Sequence, residues 1–364
     1  MTGFRYALLS LTLLGCAGPR RYSQWSYTPP GPSAALASAH ASDVDLDPAQ
    51  LERLVRGLAQ MRFVQIRTLQ IARRGRVVVE VEDRPGRLAE PQDLRSTTKS
   101  ITALLVVDAA LRGELDLNVP VGEALGHSDV PQLQEASLSH LLSMRSGLHC
   151  DDHNPRSPGQ EDRMYRSRDW VAFWAAVPQV EPPGQTARYC TGNMVAAGAV
   201  LEAATGERIQ DRADRMLFSK IGIQHAEWAT FDRGRGTDSG GHLQLTPRDL
   251  LRVGQLVLND GQWQGEPVLH PGVVDAVTHP VTRMRGQDYG LGWWLGTVHA
   301  ADGRELKLWE TKGNGGQHLF ILPELDLVVA LTGGAYNHPD AAAPYSVMGR
   351  GVLPSAGVVS VAPN

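Results

Sequence analysis

The alternation of apolar and polar residues predicts a β-hairpin early in the chain and a group of strands near its end. The segment RTLQIARRGRVVVEVE (67–82) has β-branched residues in alternation on its second arm and a turn at Arg73-Arg74-Gly75. The segments YGLGWWLGTV (289–298), ELKLWET (305–311) and QHLFILPELDLVVALTGG (317–334) are predicted as antiparallel strands, the last of them folded back at a Pro-Glu turn.

Helical spacing of apolar residues predicts the elements between these strands. A helix is expected after Asp47, which suits the N-cap, with Pro48 at its first position. Residues 101–111 are almost all apolar, which indicates a helix buried on most sides, and TPRDLLRVGQLVLNDG (246–261) predicts another capped helix. Helical stretches separated by polar loops fill residues 115 to about 235. The predicted fold class is therefore α+β, an antiparallel β-sheet flanked by helices with a mostly helical inserted subdomain.

The N-terminus predicts export. Residues 1–15 have Arg5 followed by about ten mostly apolar residues, which is too short to span a bilayer and is typical of a signal peptide. The stretch Leu13-Leu14-Gly15-Cys16 resembles a bacterial lipobox. We therefore predict a lipoprotein signal peptide at 1–15, a lipidated Cys16 with a flexible linker at 16–45, and a catalytic domain at 46–356. This places the protein in the bacterial cell envelope, anchored to a membrane and facing the periplasm or exterior. A plain signal peptide is the alternative.

Composition narrows the partners. The 364 residues carry a formal net charge of −4, with no clustered basic segment of the kind that nucleic-acid binding needs. Neither H-E-x-x-H nor H-x-x-E-H occurs, and no cofactor or metal is predicted. Beyond Cys16, the chain has Cys150 and Cys190, which an oxidising compartment allows to form a disulfide. Two separate buried thiols are the alternative.

One lysine stands out chemically. The chain has only four lysines, and Lys99 lies three residues after Ser96 at the head of the apolar run, in DLRSTTKSITALLVV (93–107). On a helix that begins near Ser96, residues i and i+3 share one face. Burial of Lys99 should lower its pKa, and a neutral amine could then take the proton of the serine hydroxyl. The simpler alternative makes Ser96 an N-cap and Lys99 a surface charge.

Two further segments accompany S-x-x-K. PPGQTARYCTGNMVAAGAVLEAATGE (182–207) contains Tyr189 before a small-residue helix, and WETKGNGGQHLFILPELDLVVAL (309–331) is a glycine-broken strand with a hairpin. S-x-x-K with two such companions is the signature of serine β-lactamases and penicillin-binding proteins. SHLLSMRSGL (139–148) and HLQLTPRDLLRVGQLVLNDG (242–261) also resemble family segments. Over residues 46 to 340 the chain resembles the serine β-lactamase-related superfamily, best its class C, esterase and 6-aminohexanoate-dimer hydrolase branch.

The resemblance implies roles for particular residues. Ser96 would be the nucleophile that forms an acyl-enzyme, Lys99 its general base, and Tyr189 the group that passes protons to the leaving group and from the deacylating water. The oxyanion hole would combine the backbone N–H of Ser96 with that of Asn314, next to the close-approach glycine Gly313; Gln317 is the competing assignment. For Tyr189, a core tyrosine with a satisfied hydroxyl is the alternative.

The chain departs from the family pattern in two places. Thr191 stands where the tyrosine motif usually ends in Asn or Ser, and Asn193 is a possible substitute. The third motif, Thr311-Lys312-Gly313, lacks Lys or His at its first position, where relatives that recognise β-lactams hold a carboxylate. The predicted substrate is therefore a small ester or amide, or a peptide-like molecule, without an obligatory carboxylate. Trp170, Trp174, Trp293 and Trp294 either line an acyl pocket or, as we expect for most of them, pack in the core.

Other functions remain to be weighed. A Ser-His-Asp hydrolase is disfavoured because no G-x-S-x-G sequence occurs. The principal alternatives are a catalytically silent penicillin-recognising envelope lipoprotein and a true class C-like β-lactamase. Fold alone does not choose among the chemistries of this superfamily.

Overall fold

The structure is a computed structural model, and it describes residues 36–60, 65–127 and 129–359. The predicted signal peptide and the predicted lipidation residue Cys16 lie outside these residues. Within the described ranges, no helix combines the length and the apolar character that a bilayer crossing requires.

A ten-stranded sheet forms the centre of the fold. Its order is β1-β3-β2-β15-β14-β13-β12-β11-β10, with β16 paired to β12. Every pairing is antiparallel except that of β1 with β3. The strands of this sheet and of three small two-stranded pairs are β1 (Ala37–Ser38), β2 (Ile66–Arg73), β3 (Arg76–Glu82), β4 (Gln92–Asp93), β5 (Thr230–Phe231), β6 (Gly236–Thr237), β7 (Gln244–Leu245), β8 (Gln262–Trp263), β9 (Glu266–Pro267), β10 (Thr282–Met284), β11 (Gln287–Tyr289), β12 (Trp294–Ala300), β13 (Glu305–Gly313), β14 (Gln317–Leu322), β15 (Leu327–Gly333) and β16 (Val358–Val359).

Helices cover both faces of the sheet. They are α1 (Pro48–Gln60), α2 (Thr98–Leu111), α3 (Val121–Ala124), α4 (Leu138–Leu142), α5 (Glu161–Tyr165), α6 (Trp170–Ala175), α7 (Thr191–Thr205), α8 (Ile209–Ala213), α9 (Pro247–Leu258), α10 (Val273–Thr278), α11 (Ala343–Val347) and α12 (Leu353–Ser355). On one face, α9 packs against β14 and β15, and α2 packs against α7 and α10. On the other face, α1 packs against α12 and against the turn Met348–Val352 that leads into α12.

The central strands have an apolar side chain on each face, because both faces are covered. In β15, Val328 and Ala330 join the core that contains α2, α7 and α9, whereas Leu327, Val329 and Leu331 join the core that contains α1. This two-sided burial holds the centre of the sheet rigid. The short turn Arg95–Thr97, which leads into α2, packs against β13 and β14 of this sheet.

The predicted α+β fold is confirmed. The side chain of Asp47 accepts hydrogen bonds from the backbone of Ala49 and Gln50, as an N-cap should. The hairpin of β2 and β3 and the buried helix α2 lie where the sequence predicts them. The segment 289–298 differs, because only 294–300 forms β12 and the preceding residues turn back into the unpredicted strands β10 and β11.

The start of the folded domain also differs from the prediction. Residues 37–44 belong to the predicted linker, yet β1 pairs with β3 and a short 3₁₀ turn follows over Ala41–Val44. Ala41 and Val44 are buried in the α1 core. The sequence signal fails because a stretch of Ala and Ser is too short and too small to show periodicity, although small side chains fit well beneath a helix.

Candidate active site

Ser96 lies in a tight 3₁₀ turn (Arg95–Thr97) that leads directly into α2. The residue before it, Arg95, has a φ of 51°, in the left-handed region that non-glycine residues rarely adopt. Such backbone strain costs about 1–3 kcal/mol and persists where the surrounding structure enforces it, commonly at functional sites. The turn presents Ser96 at the N-terminal end of a 14-residue helix.

Lys99 lies one turn deeper and is 1% exposed. Its Nζ donates hydrogen bonds to Ser96 Oγ at 3.0 Å, to Thr191 Oγ1 at 2.9 Å and to the carbonyl oxygen of Gly240 at 2.6 Å. These three acceptors match the three protons of an ammonium group. The surface-charge alternative for Lys99 is therefore wrong, since the amine is enclosed and aimed at the serine.

Tyr189 completes the group around the serine. Its ring centroid is 5.0 Å from Lys99 Nζ, and its phenol is hydrogen-bonded to the Ser96 side chain. The ring lies between those of His153 and Trp294, with centroid distances of 5.4 and 5.9 Å. The structure thus brings the three predicted catalytic side chains into mutual contact, although they come from the turn before α2, from α2 and from the segment before α7.

The electrostatics of Lys99 correct one expectation. Burial is the largest single influence and lowers the pKa of Lys99, as the sequence argument assumed. The charges of nearby acidic groups act in the opposite direction and together leave the pKa of Lys99 above its ordinary value; these groups are Tyr189, in its ionised form, and the carboxyls of Glu161, Asp152 and Asp238. The resting amine is therefore charged, and the predicted lowering of its pKa is wrong because the sequence argument counted the dry surroundings and omitted the carboxylates.

Burial likewise raises the pKa of the Tyr189 phenol. The charge of Lys99 and the hydrogen bond with Ser96 act in the opposite direction, but they do not overcome burial. The cationic lysine favours ionisation of the phenol, but in the resting site this effect is smaller than the opposing effect of burial. Tyr189 is consequently a neutral phenol beside a charged ammonium group.

Two carboxylates lie behind Thr191. The Thr191 hydroxyl donates to Glu161 Oε2 at 2.8 Å, and its backbone N–H donates to Asp152 Oδ2 at 2.6 Å. The backbone N–H of Glu161 donates to Asp152 Oδ1, which joins the two acids. Burial, then the neighbouring Glu161 charge, raises the pKa of Asp152 to about 7.

A third carboxylate, Asp238, approaches from another segment. Its Oδ2 is 2.7 Å from His242 Nδ1, and His242 Nε2 is 2.7 Å from an Nη1 of Arg95. Its Oδ1 accepts from the backbone N–H of Gly240, whose carbonyl oxygen accepts from Lys99. Burial raises the pKa of Asp238. This series of polar contacts links Arg95, in the strained turn that carries Ser96, to Lys99.

The third motif lies against the serine turn. A Cβ added to Gly313 would lie 2.3 Å from the carbonyl oxygen of Leu94, so the end of β13 can approach this turn only with glycine there. The exposed side chain of Asn314 donates to Asn337 Oδ1 and does not enter the site. The side chain of Gln317 is buried: its Nε2 donates to the carbonyl oxygen of Gly333, and its Oε1 accepts from the backbone N–H of Gly333. The Gln317 side chain is therefore not available as an oxyanion donor.

Asn193 does not substitute for Thr191. Successive residues of a helix are about 100° apart, so positions 191 and 193 of α7 point in nearly opposite directions. Asn193 is buried, and its Oδ1 accepts from Trp174 Nε1 at 3.0 Å. Thr191 alone contacts Lys99, and the expectation that Asn193 takes part in substrate binding is wrong.

Cys150 and Cys190 form a disulfide with a Cα–Cα distance of 5.4 Å. The bond joins the acidic loop before α5 to the segment that carries Tyr189. The backbone N–H of Asp152 donates to the carbonyl oxygen of Tyr189 beside it. The loop that carries Asp152 and the segment that carries Tyr189 are thereby held as one unit.

The tryptophans pack as expected for a core. Trp174 and Trp293 are fully buried, and Trp170 stacks on Phe231. Trp294 differs, because it stacks on Tyr189 and because Lys312 Nζ lies over its ring, 4.6 Å from the ring centroid. It is the tryptophan placed to form a wall of the site.

Sequence reasoning missed Asp152, Glu161, Asp238 and Gly240. Asp152 lies in a polar loop, and Glu161 begins the five-residue helix α5, which is too short to show apolar periodicity. For Gly240, the signal is the pair Gly240-Gly241, because a Cβ at 240 would lie 2.7 Å from the Cγ2 of Thr191. Within the described ranges, no three His, Cys, Asp or Glu side chains come together as a metal site.

Comparisons with known proteins find a relative in sequence and solved structures of similar fold. The 6-aminohexanoate-dimer hydrolase of Paenarthrobacter ureafaciens is 25% identical over 257 residues, which span 65% of this chain and 64% of the relative's length. The structure of a candidate 6-aminohexanoate-dimer hydrolase from Bacillus anthracis superposes with a TM-score of 0.67 at 20% identity, covering 78% of each chain. A D-stereospecific amidohydrolase from Streptomyces sp. superposes with a TM-score of 0.57 at 17% identity, covering 75% of this chain and 90% of that one.

The family model described as Beta-lactamase matches residues 51–348, which include the serine turn, α2, α7 and the β13–β14 hairpin. These are the elements that carry Ser96, Lys99, Thr191 and Gly313 in the structure. The chain therefore belongs to the Beta-lactamase family of hydrolases.

Proposed function

We propose that this protein is a serine hydrolase that cleaves an ester or amide through an acyl-enzyme on Ser96. The observation that carries the proposal is the 3.0 Å contact between Lys99 Nζ and Ser96 Oγ inside a buried site. A nucleophile activated by an adjacent amine needs this contact and a group that can return the proton. Tyr189, which is hydrogen-bonded to Ser96 and lies close to Lys99, is placed to return this proton.

The reaction then has two halves. In the first, Ser96 Oγ attacks the substrate carbonyl carbon while Lys99, in its neutral form, takes the serine proton; the leaving alcohol or amine takes a proton from Tyr189, and Lys99 then returns one to Tyr189. In the second, water attacks the acyl-enzyme, gives up its proton by the same route, and frees the acid. The backbone N–H of Ser96 and that of Asn314 are proposed to stabilise the oxyanion, which typically contributes 10²–10³ in rate for each donor.

The surroundings of Lys312 support a substrate without an obligatory carboxylate. Lys312 Nζ lies 3.4 Å from the buried Glu310 carboxylate, hydrogen-bonds Gln287, and lies over Trp294. Its charge is already paired, so it is poorly suited to hold a substrate carboxylate. The names of the relatives fit amide cleavage, since one is a 6-aminohexanoate-dimer hydrolase and another a D-stereospecific amidohydrolase.

A labelling experiment tests the proposal. The anchor-free protein is treated with a fluorophosphonate and with p-nitrophenyl esters, and the modified peptide is located by mass spectrometry. We expect an adduct on Ser96 that is lost in Ser96→Ala and falls at least 10²-fold in rate in Lys99→Ala, because general-base help is typically worth 10²–10⁴. Lys307→Ala is the matched control, since Lys307 is exposed on β13.

The same experiment separates the alternatives. Absence of any adduct and of any turnover contradicts the hydrolase and favours a silent binding protein. Parallel assays with nitrocefin and D-alanyl amides identify the substrate class. Nitrocefin turnover at a rate equal to that of the esters would favour the β-lactamase alternative.

We also propose, from the sequence, that Cys16 carries a lipid and anchors the protein in the cell envelope. Labelling of the full chain with a fatty-acid analogue in a bacterial host should mark the protein and fail in Cys16→Ala. Labelling that persists in Cys16→Ala would contradict the proposal.

A further inference from the structure

The charged state of Lys99 poses a chemical requirement. An ammonium group that donates to three acceptors has no lone pair for the proton of Ser96. Before Lys99 can act as a base, one of its protons must pass to another group. Of its three acceptors, Gly240 offers a backbone carbonyl, which does not retain a proton, and Ser96 is the nucleophile itself. The third acceptor is the hydroxyl of Thr191.

The Thr191 hydroxyl leads to a carboxylate. Lys99 Nζ lies 2.9 Å from Thr191 Oγ1, which in turn lies 2.8 Å from Glu161 Oε2. A hydroxyl can accept and donate at the same time, so these two contacts form a continuous path. Thr191 and Lys99 are fully buried, so within the described structure the path runs through side chains shielded from bulk solvent.

We propose that Glu161 is a positioning residue that accepts a proton from Lys99 through Thr191 and so prepares the neutral amine. One N–H bond of Lys99 breaks as an O–H bond forms on Thr191. The original O–H bond of Thr191 breaks as its proton binds the Glu161 carboxylate. The result is a neutral Lys99, an unchanged Thr191 and a protonated Glu161, with no other reactant required. This inference rests on the proposed serine hydrolase function.

Several other titratable groups face the acidic pair of Asp152 and Glu161. Asp152 joins Glu161 through the backbone and holds its own proton to about pH 7, so the pair resists carrying two charges. The other titratable groups that face the pair or share its field come from five segments: Tyr165 on α5, with its Oη 3.5 Å from Glu161; Asp238 beside Gly240; His153 next to Asp152; Lys99 on α2; and Tyr189 before α7. Among these groups, Lys99 is the cation whose Nζ is hydrogen-bonded to Ser96 Oγ.

Glu161→Gln is the first test. Glutamine keeps the size of the side chain and a hydrogen bond with Thr191 but accepts no proton. We expect kcat for a p-nitrophenyl ester to fall about 10²-fold with KM changed less than about threefold, in line with the usual worth of a proton-transfer group. The kcat–pH profile should also change, because the variant has no carboxylate to receive the proton.

Controls separate proton transfer from structure. Asp162→Asn alters the adjacent exposed acid of α5 and should keep kcat within about twofold with the wild-type pH profile. Thr191→Val removes the hydroxyl at nearly constant volume and should reproduce the loss, whereas Thr191→Ser keeps the hydroxyl and should recover most of it. This pair decides the matter if Glu161→Gln fails to fold, as judged by circular dichroism and melting temperature.

The outcomes are distinguishable. If wild type labels at Ser96 and turns over esters while Glu161→Gln has the same kcat and pH profile, the role of Glu161 is overturned and the hydrolase stands. Equal activity of Thr191→Val and Thr191→Ser overturns the path through the hydroxyl. If wild type neither labels nor turns over any ester or amide, the hydrolase and the proton path fall together.

Discussion

Removal of the Cys150–Cys190 disulfide should destabilise the protein by an amount that follows from its loop length. The two cysteines are 40 residues apart in sequence. The chain-entropy relation for a loop of this size gives a loss of about 4 kcal/mol at 25 °C. With an unfolding entropy of about 2.1 cal/mol/K per residue over roughly 320 folded residues, the melting temperature should fall by about 6 °C.

The assay is a double-mutant cycle in which calorimetry measures the stability of each variant. Cys150→Ala, Cys190→Ala and the double variant are compared with wild type under non-reducing conditions. Since either single change breaks the same bond, all three variants should lose nearly the same stability. Each half of the bond is buried, so small cavity effects of about 1 kcal/mol are expected on top of the common loss.

Two results would refute the reasoning. A double variant that melts within about 1 °C of wild type would mean that the cross-link does not restrict the unfolded chain as the loop length requires. Single variants whose losses add up to that of the double variant would mean that each cysteine contributes by packing and that no shared bond exists.

Three further outcomes are expected. Tyr189→Phe should lower kcat for p-nitrophenyl esters about 10²-fold, because it removes the proton that the leaving group receives; wild-type kcat would contradict this role. Gly313→Ala should abolish most ester turnover, because its Cβ would lie 2.3 Å from the Leu94 carbonyl oxygen, whereas Gly57→Ala on α1 meets nothing within 4 Å and should remain active and folded. The raised pKa of Asp152, about 7, means that the native state holds this proton more tightly than the unfolded chain, so its stabilising effect is present at low pH and is lost as pH rises towards 7. The free energy of unfolding, measured by urea melts from pH 4 to 7, should therefore fall less steeply with pH in Asp152→Asn than in wild type, by up to about 1.4 kcal/mol per pH unit. Identical slopes in the two proteins would contradict the assignment.

Local patterns predicted those parts of the fold that depend on neighbours in sequence. The β2–β3 hairpin, the cap of α1 and the buried run of α2 each follow from residues within one element, and each is confirmed. Strands β10 and β11 are three residues each and carry Arg283, Gln287 and Asp288, so they lack the apolar alternation that would mark them. Their pairing depends on β12, which the sequence shows only as a longer apolar run.

The candidate site divides in the same way. Ser96 and Lys99 are linked by helical spacing, so their contact could be predicted from four residues of sequence. Glu161 reaches the site from the start of the short helix α5, and Gly240 from a segment 141 residues beyond Lys99. The charge of Lys99 depends on how many carboxylates the fold collects around it. That number is a property of the tertiary structure, which explains why the sequence argument chose the wrong direction for the pKa.

The short strand β1 has a practical consequence for handling the protein. It lies at the outer end of the sheet and pairs with the beginning of β3, and the turn after it places Ala41 and Val44 over the α1 core. A chain cut at residue 46 would leave β3 with free N–H and C=O groups along this edge, which is a template for intermolecular strand pairing and aggregation. A secreted or recombinant form that begins at or before residue 36 keeps this edge covered and should stay monodisperse where the shorter form precipitates.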